Sequence, residues 1–191
     1  SDYTSAENQK LFISSGSADR FKPLTQFFSL DLSVPWDSDA PAWKSLAQRP
    51  RPLEGTLALS KDNTKLFAFD AFSVHQYNIQ TDTWKPDSPQ NRTLDLDFSF
   101  VRGAVTDAHT GLIYGLGAIV KYAPWLMTEF DPDNNSYKKI NITGGRSNGS
   151  GIVSLAFSNP ARKIYMYEWG SQDNESALLS YDLVYQNLTV E

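Results

Sequence analysis

The sequence predicts an all-β chain of about four antiparallel, four-stranded repeats, the first of them incomplete. A recurring hairpin signature is the first reason. Tyr77 precedes Asn78 and is followed seven residues later by Trp84; Phe130 precedes Asp131 and is followed at seven by Tyr137; Tyr181 precedes Asp182 and is followed at seven by Leu188. An aromatic and a turn-forming Asn or Asp close one apolar run and an apolar residue opens the next, which encodes a strand, a tight turn and a return strand. The period is the second reason. Residues 78, 131 and 182 are 53 and 51 apart, and Leu30 with Asp31 stands 47 before Asn78, so a unit of about fifty residues repeats along the chain. Third, the chain is rich in Tyr, Phe, Trp, Thr and Ser, which favours strands. No stretch sustains a helical apolar period over about ten residues without a Gly, Pro or turn cluster.

The first repeat is the least regular. Lys10–Ser15, Gln26–Leu32 and Trp43–Leu46 read as its strands, with a long connection through Pro35, Trp36, Asp37 and Asp39 and no strong strand before Lys10. The second supplies all four: Gly55–Ser60, Lys65–Asp70, Val74–Ile79 and Thr83–Lys85, with a turn at Lys61–Thr64. Arg49, Pro50, Arg51 and Pro52 join the two repeats and read as a linker between sheets rather than a polyproline ligand. The third runs Arg102–Thr106, Leu112–Leu116, Leu126–Phe130 and Tyr137–Ile142; the fourth runs Gly151–Phe157, Lys163–Tyr167, Leu178–Tyr181 and Leu188–Val190. The second strands align as KLFISSG, KLFAFDA, LIYGLGA and KIYMYEW, apolar runs of the kind buried between neighbouring sheets.

Such units stack, because a single sheet cannot bury both of its faces alone. The apolar second strand, the third strand ending in an aromatic and Asp, and the aromatic seven residues on resemble the kelch repeat. Tyr77, Asn78 and Trp84 match it, as do Phe130, Asp131 and Tyr137 and, in part, Tyr181 and Asp182. The double glycine that follows the second strand in kelch repeats is replaced here by Ser15 and Gly16, Asp70 and Ala71, Gly117 and Ala118, and Trp169 and Gly170. The resemblance, to a divergent kelch or galactose-oxidase-like family, covers nearly the whole chain. It implies one domain over residues 1–191, with approximate repeats 1–48, 49–94, 95–148 and 149–191 forming the blades of a partial or open β-propeller. The copper radical chemistry of galactose oxidases needs a Tyr linked to Cys and copper-binding His residues. This chain has no Cys and only His75 and His109, so the resemblance brings no copper site, and no cofactor is expected.

Composition narrows the function classes. The net charge is −5 and no basic run exceeds Lys138–Lys139, so nucleic acid is not an expected partner. The longest mostly apolar stretch, Leu112–Val120, is too short to span a bilayer. The chain opens on a polar segment without Met or an apolar signal core, as a mature or excised piece does. Sequons stand at Asn91, Asn134, Asn141, Asn148, Asn174 and Asn187, six of the eleven asparagines, where chance would place about two. That excess predicts a secreted, extracellular glycoprotein. Residues 1–90 carry no sequon, so contacts with a large partner are expected there.

Candidate site residues are few. His75, beside Val74 in a strand, reads as a packing or surface histidine, and His109 as a turn residue. Asp131, Asp133 and Asn135 alternate as calcium ligands do, yet Ser136 stands where the loop needs Gly and Ile142 where it needs Glu. The expectation is instead a turn in which Asp131 accepts hydrogen bonds from backbone amides. Asp95 and Asp97 resemble paired carboxylates without a third acid or basic partner, so no glycosidase is assigned and no metal site is predicted. Tyr122 and Trp125, in a long loop of the third repeat, either present faces to a sugar or a partner or fold back on their own sheet. Phe72, Trp169, Phe27 and Phe28 are weaker candidates for exposed binding aromatics. Two functions follow: a non-catalytic extracellular module for protein or glycan binding or for self-assembly into an oligomer or fibre through open sheet edges, or the scaffold of a secreted carbohydrate-active or oxidase-like enzyme whose catalytic residues lie outside these residues.

Overall fold

A computed structural model describes residues 10–14, 25–33, 43–50, 56–69, 73–86, 103–117, 126–142, 151–169 and 176–190. Fifteen strands form four antiparallel sheets among them. Sheet 1 holds β1 (Lys10–Ser14), β2 (Phe27–Asp31) and β3 (Trp43–Ser45); sheet 2 holds β4 (Thr56–Leu59), β5 (Lys65–Phe69), β6 (Val74–Asn78) and β7 (Thr83–Trp84). Sheet 3 holds β8 (Gly103–Thr106), β9 (Ile113–Gly117), β10 (Leu126–Asp131) and β11 (Ser136–Asn141), and sheet 4 holds β12 (Gly151–Ser158), β13 (Lys163–Trp169), β14 (Ala177–Asp182) and β15 (Asn187–Val190). Each sheet is an up-and-down meander in sequence order.

The seven-residue spacing is the register of the third hairpin connection. Tyr77 pairs with Trp84, Phe130 with Tyr137 and Tyr181 with Leu188. The turn between them is built the same way each time. Asn78, Asp131 and Asp182 each turn a side-chain oxygen back onto the backbone amides two and three residues on, at 2.8–3.2 Å. Four residues after that acceptor, Asp82, Asn135 and Gln186 sit at φ near +50°, the left-handed step that lets the chain reverse. In sheet 1 Asp31 accepts from the Ser33 amide in the same manner, and Leu30 pairs with Trp43. The connection there is longer, but the strand-end pair is the same one.

Alternation along the second strands decides which way each sheet packs. In β5, Leu66 points back to sheet 1, whereas Phe67 and Phe69 point forward to sheet 3. In β9, Ile113 points back to sheet 2, and Tyr114 and Leu116 forward to sheet 4. In β13, Ile164 and Met166 point back to sheet 3. The hydrophobic core is therefore three seams. Phe27, Leu46, Leu66 and Tyr77 fill the first; Ala58, Phe67, Phe69, Val74, Ile113 and Phe130 the second; Tyr114, Leu116, Met127, Ile142, Ile164, Met166, Leu179 and Tyr181 the third. Burying one such side chain contributes roughly 1.5–3 kcal/mol.

Polar links lie at every seam. Asp82 of sheet 2 accepts from the Ala47 amide at 2.8 Å and the Tyr77 hydroxyl at 2.7 Å, while Trp84 Nε1 donates to the Ala47 carbonyl at 2.8 Å. Thr106 donates to the Leu59 carbonyl at 2.6 Å, and Lys61 to that of His109 at 2.6 Å. The Ala108 amide donates to Asn159 at 3.1 Å, and Asp107 pairs with Arg162 at 2.8 Å. The first strands of sheets 2, 3 and 4 lie side by side. At Gly103 a side-chain methyl would fall 3.1 Å from Leu155 Cδ1, so the bare backbone of β8 admits that leucine across the seam.

Candidate binding surfaces

Stacking leaves two faces without a neighbouring sheet among the described residues. On sheet 1, Leu11, Ile13, Phe28, Leu30 and Trp43 share the face turned away from sheet 2, since Leu11 and Trp43 flank Leu30 and Ile13 opposes Phe28. On sheet 4, Tyr167 opposes Leu178 on the face turned away from sheet 3. Their flanking positions are exposed where the internal seams are closed, while Leu30 at the middle of the sheet 1 face is itself 2% exposed and Phe28 half-buried. Leu11 occupies the position of Leu66 in the aligned second strands, and is 44% exposed where Leu66 is 4%. Tyr167 occupies that of Phe69, and is 43% exposed where Phe69 is 0%. Trp43 takes the strand-end pairing position that Trp84 takes in sheet 2, where the indole is half-buried and bonded across the seam.

The candidate residues divide accordingly. Phe28 is half-buried on the terminal face of sheet 1. Phe27, expected as an exposed aromatic, is instead buried (1% exposed), because it lies on the opposite face of β2 and meets Tyr77 edge-on at 5.0 Å and Trp84 at 5.4 Å. Adjacent residues of a strand go to opposite faces, and in Phe27–Phe28 both are aromatic, so composition alone did not separate them. Tyr122, Trp125, Phe72, Asp95 and Asp97 lie outside the described residues, as do Asn91, Asn148 and Asn174. Asn134 is exposed in the β10–β11 turn, Asn187 is exposed at the start of β15, and Asn141 ends β11. His75 is a core histidine, buried and 2.8 Å from the Ser73 hydroxyl, and His109 stands exposed in the β8–β9 turn. Arg49, read as part of a linker, is buried, with its amide bonded to the Thr25 carbonyl and its guanidinium pKa lowered by desolvation. No metal-holding cluster of His, Cys, Asp or Glu occurs among the described residues, and no helix there is long and apolar enough to cross a membrane.

Comparison with known proteins places the architecture. No family model and no curated protein sequence matches the chain. Solved structures do. A nidogen/laminin complex superposes with a TM-score of 0.60 at 10% identity over 88% of this chain and 58% of that one. An auxiliary nutrient binding protein from Bacteroides thetaiotaomicron gives 0.52 at 8% over 86% and 36%, and a quinoprotein alcohol dehydrogenase-like protein from the same organism 0.51 at 15% over 88% and 40%. The fold is an open β-propeller arc. Each sheet is one blade of it, numbered alike, and the chain spans less than two thirds of the structures it matches. Blades of a propeller pack face to face around an axis, which is the arrangement the three seams repeat.

Proposed function

We propose that the chain is a non-catalytic, extracellular glycoprotein module that binds protein through its terminal blade faces, and that a second copy of the chain is the partner. The seven-residue signature supports a divergent kelch-type lineage for these blades. The observation that carries the reading is the pairing of Leu11, Ile13 and Trp43 at one end of the arc with Tyr167 and Leu178 at the other, all exposed. The first set belongs to a backward face and the second to a forward face, and forward against backward is how every internal seam is made. Two copies therefore meet by the rule that already joins blades 1 to 4 within one copy. Large apolar side chains exposed together on one sheet face mark an interaction site. A forward-to-backward contact is heterologous, so it closes into a ring or runs on as a fibre. The six sequons favour an extracellular setting, with sugars clear of residues 1–90.

Complementation of blocked ends tests this. Wild-type chain should grow in mass with concentration in light scattering. Ile13→Glu, which blocks the backward face, and Leu178→Glu, which blocks the forward face, should each be monomeric alone; mixed, they should form a heterodimer and stop there. A monodisperse, folded wild-type monomer across the concentration series, or blocked variants that fail to combine, would overturn the reading.

A further inference from the structure

The seam between blades 3 and 4 holds a feature that the terminal-face reading does not use. On the forward face of each blade, one cross-strand row runs from the second strand through the third to the fourth. In blade 1 it is Phe12, Ser29 and Lys44; in blade 2, Phe67 and Gln76, with Lys85 bonded to the Gln76 carbonyl; in blade 4, Tyr165, Ser180 and Thr189. Only blade 3 places a carboxylate in the centre, in the row Tyr114, Glu129 and Lys138. A charge is a poor filler for a seam, and here it borders open space. A cleft of about 230 Å³ is lined by Tyr114, Glu129, Lys138, Lys139, Ile140, Tyr181, Leu183 and Gln186. Of these, Tyr181, Leu183 and Gln186 come from blade 4 and the β14–β15 turn, so the cleft spans the seam.

Its chemistry is specific. Tyr114 is buried and donates its hydroxyl to Glu129; burial, and then the charge of Glu129, push the phenol pKa above its usual range. Tyr181 is also buried and lines the cleft, and burial, then the charge of Glu129, raise its phenol pKa as well. The remaining lone pairs of Glu129, the Gln186 amide and the Tyr181 hydroxyl are the acceptors and donors that a ring of vicinal hydroxyls satisfies. Lys138, directly opposite Glu129 on the same face, gives that wall a positive charge beside the negative one. Directly opposed residues on neighbouring strands stand about 5 Å apart, the width of a sugar ring, so hydroxyls held at Glu129 leave the far side of the ring at Lys138.

We infer that the blade 3–4 cleft is a binding site for one pyranose unit bearing a carboxylate, with Glu129, Tyr181 and Gln186 holding the hydroxyls and Lys138 the carboxylate. The site is independent of the terminal faces, and a monomeric chain keeps it. Because Asn187 adjoins Gln186, the test uses protein freed of N-glycans. Amide chemical shifts are followed while sodium glucuronate or glucose is added. Glucuronate should bind about tenfold more tightly than glucose, with shifts clustered on β10, β11 and the β14–β15 turn. Lys138→Gln should abolish that preference, and Glu129→Gln should weaken both sugars severalfold. Glutamine is the natural occupant of the same row position in blade 2, so this variant is built to fold. Lys85→Gln, at the matching place in blade 2, should change nothing. Equal binding of the two sugars, absence of binding, or an unaffected Lys138→Gln variant would overturn the inference.

Discussion

The Asp107 carboxylate of blade 3 stands 2.8 Å from the Arg162 guanidinium of blade 4 and is wholly buried. It also accepts from the His109 amide at 2.9 Å and the Thr110 hydroxyl at 2.7 Å, so one side chain closes the β8–β9 turn and ties it to the next blade. Removing Asp107 would leave the half-buried Arg162 guanidinium and the donors of the turn without their shared acceptor. Asp107→Ala should therefore destabilise the chain by about 3 kcal/mol in urea unfolding, whereas Asp107→Asn, which keeps an acceptor for the turn, should cost less. Equal effects from the two would assign the stabilisation to the ion pair alone.

The Asx turns make a second prediction. Blade 2 uses Asn78 where blade 3 uses Asp131 and blade 4 Asp182, with the same two amides bonded. An amide oxygen thus serves in the same place as a carboxylate oxygen. Asp131→Asn should be close to neutral in thermal unfolding, and Asp131→Ala should cost about 1 kcal/mol for the lost bonds.

Acid should loosen the arc through several carboxylates together. The Ser60 hydroxyl and the Thr64 amide bring Asp62 down to about 2. The Asn134 side chain and turn amides lower Asp131, the Tyr185 and Val184 amides Asp182, and the Ser33 hydroxyl and amide Asp31. Burial works in the other direction at Asp82, but the Ala47 amide and Tyr77 hydroxyl outweigh it and lower its pKa too. A carboxylate more acidic folded than unfolded stabilises the fold above its unfolded pKa of about 4, and that contribution is lost as pH falls through the folded value. Melting temperature should thus be flat from pH 7 to about 5 and fall between about 4 and 2. Asp62→Asn should flatten part of that fall; an unchanged acid profile would discount the turn.

Glycans should sit at Asn134 and Asn187, both exposed at the β10–β11 and β14–β15 hairpins. Glycosidase treatment of chain made in a secretory host should lower its intact mass, with both asparagines converted in peptide mapping. No mass loss would remove the sequon argument for an extracellular setting.

Much of this architecture is legible in the sequence for a definite reason. An aromatic, an Asx and an apolar residue at a spacing of seven fix a register, and register fixes which residues share a face. The strands found differ from those expected by only a residue or two at their ends, as in β1, which stops at Ser14, and β11, which spans Ser136–Asn141. Direction was harder to read. Strand β2 carries an aromatic on each face, so the sequence does not say that Phe27 meets Tyr77 while Phe28 looks outward. Trp43 shows the opposite difficulty: the long connection before it conceals that it pairs with Leu30 as Trp84 pairs with Tyr77. The blade 3–4 cleft did leave a trace, in Glu129 as the lone acid among the apolar residues of Leu126–Phe130. Its partners Tyr181 and Gln186 are some fifty residues away, and only the seam brings them within reach.

Among the described residues the interior is divided among three seams rather than gathered at one centre. Blades 2 and 3 have, among those residues, a neighbouring sheet on two sides and blades 1 and 4 on one, so cohesion passes from neighbour to neighbour like links in a chain. Loosening begins at the outermost links and works inward. The same accounting governs growth: a blade gained or lost at either end by duplication or deletion disturbs one boundary and leaves the others packed as they were, so arcs of different length are accessible to one lineage without redesigning any interior.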